Sequence, residues 1–403
     1  MTPKSLAPRL YLTDSRLSRF QAIVVAHESF DGRPSVILDQ SAFYPESGGQ
    51  LADLGHLGDV EVLDVQIDTE GRVHHLIGGS APPLGSEVDG RIDEGRRREH
   101  MALHTGQHIL SRALSEVTGA ATISARLGEN ACTIDIDRET LSDGELGRVA
   151  ELAAAAVDDA LPIRAFFPTD QDLNDLKLRR TAKVQTDIRV VTIGDFDATP
   201  CGGTHCDNSA EVGLLHITHT ERHRRAMRIH FTAGARSRQT LGTAYADLRA
   251  MSQSFSCGLD RVGGAVNSSL DKLRDELKSS QEALGHARAK LAHTIAQALL
   301  TKHRDEGRVI AELELDSLDM LRAVARAICK DHGTVALLAM PQDEGMHIIA
   351  SRHEAGDFDC GAFLRTVSAD GRGRGGGRAH HAEGRLSERQ DWPALLDGLN
   401  LAD

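Results

Sequence analysis

His104 and His108 stand four residues apart, the spacing that puts two imidazoles on one face of an α-helix and lets them share a metal ion. Far downstream, Pro200-Cys201-Gly202-Gly203-Thr204-His205 places a thiol and an imidazole on a turn tightened by one proline and two glycines. A helical His pair and a Cys/His pair on a loop supply four N and S ligands, the set that suits tetrahedral zinc. The competing reading is a satisfied core histidine pair beside an unrelated turn. Four protein ligands usually make a closed structural site, whereas hydrolytic zinc keeps a position for water, and the sequence leaves that choice open. The run is His-x-x-x-His without the glutamate that serves metalloproteases as a base, which disfavours a peptidase. Cys206, adjacent to His205, is expected to be a small buried thiol.

A third cluster is Phe43-Tyr44-Pro45-Glu46-Ser47-Gly48-Gly49-Gln50. Gly48 and Gly49 let backbone N–H groups approach a ligand closely, and the Gln50 amide can donate and accept. The alternative is a β-turn between strands.

Elements must hold these groups in place. Residues 20–95 read as short apolar runs broken by Gly, Pro and Asp, including Val60–Ile67 and Val73–Ile77, the pattern of a small antiparallel barrel. From Met101 to Val117 the period turns helical, with Leu103, Leu110, Leu114 and Val117 on one stripe. A second helix is expected from Asp143 to Ala160, then strands near Arg189–Ile193 and Leu214–His219, giving an α+β fold. Leucines at 270, 277, 284 and 291 recur every seven residues, which predicts a helical hairpin or a modest coiled coil acting as spacer or dimer contact. Beyond Gly307 the order strand, helix, strand, strand, helix ends in a glycine-rich loop, Gly371 to Arg378, followed by a short helix from Ser387 to Leu396. The expected domains are therefore 1–95, a β-barrel; 96–250, an α+β metal-dependent domain; 251–306, a helical spacer; and 307–403, an α/β module.

Composition narrows the function classes. The 403 residues carry a formal net charge of −13 and only 3% aromatics. The acidic balance argues against indiscriminate nucleic-acid binding, since that affinity comes from neutralising phosphates, and there is little material for an aromatic base-stacking platform. Local basic clusters remain: Arg96-Arg97-Arg98, Lys177 with Arg179-Arg180, Arg222 to Arg228, and arginines 372, 374, 378 and 385. Each is a candidate phosphate contact or a solvated surface. Six dispersed cysteines suggest reduced thiols, no apolar run reaches membrane-spanning length, and Met1 to Phe20 lacks a signal-peptide apolar block. A cytoplasmic location without a membrane partner is expected.

The segments Phe43–Gln50, His104-Thr105-Gly106-Gln107-His108, Cys201-Gly202-Gly203-Thr204-His205 and Arg224-Arg225-Ala226-Met227-Arg228-Ile229 together resemble the editing domain of alanyl-tRNA synthetase and, more closely, the freestanding AlaX editing group of long type. The spacer and the module ending in Gly375-Gly376-Gly377-Arg378 resemble the synthetase C-terminal (DHHA1) domain. The stretch Thr122 to Gly128 looks like the freestanding proteins, and Ala379-His380-His381-Ala382 departs from the family's usual continuation. No segment precedes Met1 to supply an aminoacylation domain, so synthetase activity is not expected.

What the resemblance implies is trans-editing: hydrolysis of the ester joining serine, and also glycine, to tRNA(Ala). In that reading His104, His108, Cys201 and His205 hold Zn2+, while Gln50, Gly48 and Gly49 bind the terminal adenosine or the oxyanion. Thr133 or Ser124 accepts the serine hydroxyl, and Arg224, Arg225, Arg228, Arg374 and Arg378 contact tRNA. His219, His223 and His230 are surface or RNA-backbone residues. A homodimer through the spacer and C-terminal module is the expected assembly. The runner-up is a non-catalytic, zinc-stabilised tRNA-binding or dimerisation protein.

Overall fold

The structure, a computed structural model, describes residues 7–181, 186–304, 306–330 and 333–397. The first six residues of the expected first domain and the last six of the expected last domain lie outside the described residues. The chain divides into two compact units, Met1–Met251 and Ser252–Asp403, mixed α+β in composition.

In the first unit, β1 (Arg19–Phe30), β2 (Arg33–Leu38), β3 (Gly55–Leu57), β4 (Val60–Ile67), β5 (Val73–Gly78) and β6 (Glu87–Ile92) close a barrel in the order β1-β2-β5-β4-β3-β6. Alternation along β1 turns Phe20, Ala22 and Val24 inward, and closure leaves no unpaired edge. Helix α1 (Glu94–Thr118) begins at Asp93, whose side chain accepts from the Arg96 N–H, and ends at Gly119 with φ +72°, the usual left-handed stop. Every residue from His100 to Leu110 is buried. A helix enclosed all round with His, Thr and Gln on it must find partners for each polar group, and those partners make the site.

Around α1 lie β7 (Thr122–Leu127), β8 (Cys132–Ile136), α2 (Asp143–Asp158), β9 (Ile163–Phe166), α3 (Asp170–Asp175), β10 (Val190–Ile193), β11 (Asp197–Pro200), β12 (His216–His223), β13 (Ala226–Thr232) and α4 (Gly234–Ser254). They form a β11-β10-β9 sheet and a β12-β13-β8-β7 sheet. Ile134, Ile136, Ile229 and Phe231 of the second sheet join Leu103, Leu110 and Leu114 in one core.

The basic cluster at the start of α1 is not a uniform phosphate surface. Arg97 is 2% exposed and paired with the fully buried Asp53, and it also donates to the carbonyls of Ser15 (2.7 Å) and Ala42 (2.7 Å). It fastens the barrel to α1. Asp53 in turn accepts from the Tyr44 N–H at 2.6 Å.

The second unit opens with α5 (Val262–Lys302), a single helix of 41 residues where a hairpin was one expectation; Leu270, Leu277, Leu284 and Leu291 are exposed along it. Then come β14 (Arg308–Glu312), α6 (Leu318–Ile328), β15 (Val335–Pro341), β16 (Met346–Arg352), α7 (Cys360–Ala369), β17 (Gly373–Arg378), β18 (His381–Leu386) and α8 (Asp391–Asp397). The sheet order is β14-β15-β16-β18-β17. The expected glycine-rich loop is therefore an edge strand, paired along its length with β18. Glycine weakens strands, but a Cβ at Gly377 would press on Ala382, so this close hairpin tolerates little else. Among the described residues no helix is long and apolar enough to cross a membrane.

Candidate metal centre

His104 and His108 project from the middle of α1, and the turn after β11 carries Cys201 and His205 toward them. The four ligand atoms lie within 4.8 Å of one another. The Cys201 Sγ is 3.4 Å from His104 Nε2 and 3.3 Å from His205 Nε2. With Zn–N near 2.0–2.1 Å and Zn–S near 2.3 Å, a tetrahedral ion separates N and S by about 3.5 Å, so the donor set fits such an ion.

Each histidine has an outer partner. Gln50 Oε1 accepts from His104 Nδ1 at 2.7 Å and from the Thr204 N–H at 3.2 Å, while Gln50 Nε2 donates to Thr204 Oγ1 at 2.8 Å. Because a backbone N–H can only donate, the amide oxygen must face Thr204 and His104, which puts the proton on Nδ1 and frees Nε2 for the metal. Thr105 Oγ1 lies 3.2 Å from His205 Nδ1 and accepts from the Cys206 N–H at 3.1 Å. His108 Nδ1 faces Asp197 at 3.5 Å, a long approach. Asp197 is anchored by Arg179 (2.8 Å) and Thr199 (2.9 Å).

Backbone constraints complete the loop. Arg189 donates to the carbonyls of Cys201 and Gly203, each at 2.9 Å, and the Gly203 N–H points at Cys201 Sγ from 3.4 Å. A Cβ at Gly203 would overlap the His104 ring. Gly48 and Gly49 have φ of +58° and +89°, and a Cβ on Gly49 would strike the Ala125 carbonyl. The Gly49 carbonyl accepts from Leu127 N–H at 2.7 Å. The segment is a turn, tied to β7, and it borders the site as well.

Electrostatics suit a cation. Burial disfavours the Cys201 thiolate, yet the facing imidazoles of His104, His205 and His108 outweigh it and hold the thiol well below its ordinary range. Burial and the neighbouring His104 push His205 down to about 3. Burial also opposes ionisation of Asp197, but His108 and Arg179 bring its carboxyl down to about 2. Burial opposes charge on His108, and the Cys201 thiolate and Asp197 more than offset it. Cys206 is pushed up to about 12 by burial, in keeping with an inert thiol.

His104, His108 and Cys201 face a cleft of about 570 Å3, within the usual range for small-molecule sites. Gly48 and Ser124 line it, and the Ser124 hydroxyl donates to Asp135 at 2.8 Å. Gln50 does not reach it as expected: the residue is fully buried beneath His104 with its amide engaged. Thr133, on β8 between Arg126 and His230, is absent from the cleft wall among the described residues. Arg228 is bound to Asp135 through two bonds of 2.8 and 2.9 Å, so its charge is spent within the sheet. Arg224 and Arg225 are exposed at the β12–β13 turn, and Arg374 and Arg378 are exposed on β17 of the second unit. Sequence reasoning missed Thr105, Asp197 and Arg189, which carry no motif. Only the position of Thr105 between the two helical histidines marked it.

The barrel, the enclosed helix and the His3Cys cluster define a protein built around a prospective metal centre. Residues 188–229 match the family described as "Threonyl and Alanyl tRNA synthetase second additional domain". The chain is 26% identical over 399 residues to the alanyl-tRNA editing protein AlaX-L of Pyrococcus horikoshii, covering 96% of both chains. It is 26% identical to the alanyl-tRNA editing protein Aarsd1 of Rattus norvegicus, over 90% of this chain and 87% of that one. Against alanine–tRNA ligase of Archaeoglobus fulgidus the identity is 28% over 96% of this chain, which spans only 43% of the ligase. The chain is an AlaX-L-like homologue of the alanyl-tRNA editing proteins.

Proposed function

We propose that the protein is a trans-editing deacylase that hydrolyses the ester between a wrong amino acid and tRNA(Ala), serine foremost and glycine second, with Zn2+ as its metal. The observation that carries this reading is the His3Cys cluster opening onto a cleft in a chain similar to editing proteins from end to end. A pocket built for alanine cannot fully exclude a smaller residue or one bearing an added hydroxyl, so a second hydrolytic site adds discrimination.

His104, His108, Cys201 and His205 would hold the ion. Bound there, zinc supplies Lewis acidity to a water or an ester oxygen. The chain's own residues do the rest. Gln50 and Thr105 keep the imidazoles of His104 and His205 in the ligating tautomer. Gly48, lacking a side chain at the cleft wall, lets the ester carbonyl approach backbone N–H groups. Ser124 is the better reader of the amino-acid hydroxyl, since Thr133 stands apart. Arg224 and Arg225, with Arg374 and Arg378, meet tRNA phosphates. The domain plan of 1–95, 96–250, 251–306 and 307–403, with a DHHA1-like last domain, a dimer through α5 and that domain, and a cytoplasmic setting belong to the same proposal.

One observation favours the second reading, a zinc-stabilised tRNA-binding protein without catalysis: four protein ligands already fill a tetrahedral shell. Deacylation of Ser-tRNA(Ala), Gly-tRNA(Ala) and Ala-tRNA(Ala) by the native chain and by His104→Ala separates the two. Release of serine but not alanine, lost in a folded His104→Ala, supports editing; equal slow release from all three in both proteins supports the binding protein.

A further inference from the structure

Most of the cleft wall is polar or glycine, yet two large apolar side chains there are left bare. Ile123 on β7 is 61% exposed, and Phe167, just beyond β9, is 49% exposed. One lies on β7 and the other follows the end of β9, strands of different sheets, and neither belongs to the core of the first unit. Leaving such groups in water costs stability that burial elsewhere would have recovered, and aromatic residues are scarce in this chain, at 3%. Phe167 is the single exposed aromatic residue on this wall among those described; Tyr11 and Tyr44, which also line the cleft, are buried.

Charge accompanies the apolar pair. Arg9 and Arg180 line the same cleft. Their guanidiniums donate to backbone carbonyls, of Gly71 at 2.9 Å and Pro200 at 3.0 Å, and neither has a carboxylate partner among the described residues. A ligand for this wall therefore has a flat apolar body and a nearby anion. A nucleoside followed by a phosphate has both, and base stacking on an aromatic side chain tolerates any purine face.

Resting on the reading of the cleft as the ester site, we propose that Phe167, with Ile123, receives the terminal base of the aminoacylated nucleotide, and that Arg9 and Arg180 face the phosphate preceding it. Phe167 is a positioning residue. It fixes the base so that the ester on the attached ribose meets the metal ligands, and it takes no part in bond breaking.

The test measures equilibrium binding to the full-length, zinc-loaded chain of 3′-deoxy-3′-serylamido-adenosine, an amide that cannot be hydrolysed as the ester is, and of the same serylamido ribose lacking the base. The native chain binds the adenosine compound more tightly than the abasic one. Phe167→Ala weakens the adenosine compound about 5- to 150-fold, the range of one stacking contact, and moves the abasic one less than about twofold. Phe167→Trp retains binding. Phe167 is exposed, so its loss leaves the fold intact, which a melting curve checks. Equal binding of both compounds by the native chain, or an unchanged affinity in Phe167→Ala, overturns the proposal. Hydrolysis of Ser-tRNA(Ala), run alongside, judges the deacylase reading separately. Stacking is supported there if Phe167→Ala raises KM with kcat within about threefold; hydrolysis indifferent to Phe167→Ala sinks the stacking alone, and base-dependent binding without hydrolysis sinks the deacylase alone.

Discussion

Gln50→Leu isolates the role of the buried amide. Gln50 Oε1 accepts from His104 Nδ1 and from the Thr204 N–H, and the residue is fully buried. Leucine of similar size removes the acceptor and leaves two buried donors without a partner, at about 1–3 kcal/mol each. The variant is therefore expected to lose roughly 2–6 kcal/mol of stability. Loss of an outer partner of a ligating histidine also lowers metal affinity by about 10- to 100-fold, because Nδ1 can then give up its proton and the ring can turn. Gln50→Glu keeps an acceptor for both donors and should hold metal far better than the leucine variant. Zinc affinity is read by competition with a chromophoric chelator, and stability by urea unfolding of the metal-free chain. Native metal affinity in Gln50→Leu, with deacylation nonetheless lost, would refute the reasoning and return Gln50 to the substrate.

Three further outcomes are expected. The Asp197 carboxyl, at about 2 in the folded chain against 3.8 when free, contributes roughly 2 kcal/mol; its depressed pKa means that this stability is complete above about pH 4 and is lost as the pH falls toward 2, a slope that acid titration of Asp197→Asn should lack. Arg97→Ala strands Asp53 in the interior and should cost about 3–5 kcal/mol in chemical denaturation; removal of both partners, as Arg97→Met with Asp53→Leu, should cost less than the single change. Arg224→Ala with Arg225→Ala, both at an exposed turn, should reduce the salt dependence of tRNA binding by up to about one phosphate each, whereas Arg228→Ala, already paired with Asp135, should mainly destabilise the sheet.

The four candidate ligands were legible because short-range geometry dictates each pair. An i, i+4 pair on a helix and a Cys/His pair across a glycine turn each converge locally, so their types and spacing announce a metal. The apolar run of β4, which is broken by a bulge between Val62 and Asp64, and the helical period of α1 were legible for the same reason. Gln50 was legible as chemistry but not as position. Its partners His104 and Thr204 lie 54 and 154 residues away, and only the packing of the barrel turn against α1 decides that its amide supports a ligand.

Charge was the least legible property. Arg97, Arg179 and Arg228 look like surface arginines, yet Asp53, Asp197 and Asp135 meet them through tertiary contacts, and an arginine already neutralised has nothing left for a phosphate. The glycine-rich run ending at Arg378 reads as a loop by local propensity and becomes β17 because β18 lies beside it. The sequence by itself determined the donor set and the elements that carry it, since both arise within one or two turns of chain. The partners of the buried polar groups, and which charged or apolar side chains stay open to the cleft, were decided by the tertiary structure, because desolvation and pairing depend on residues the chain brings together from far apart.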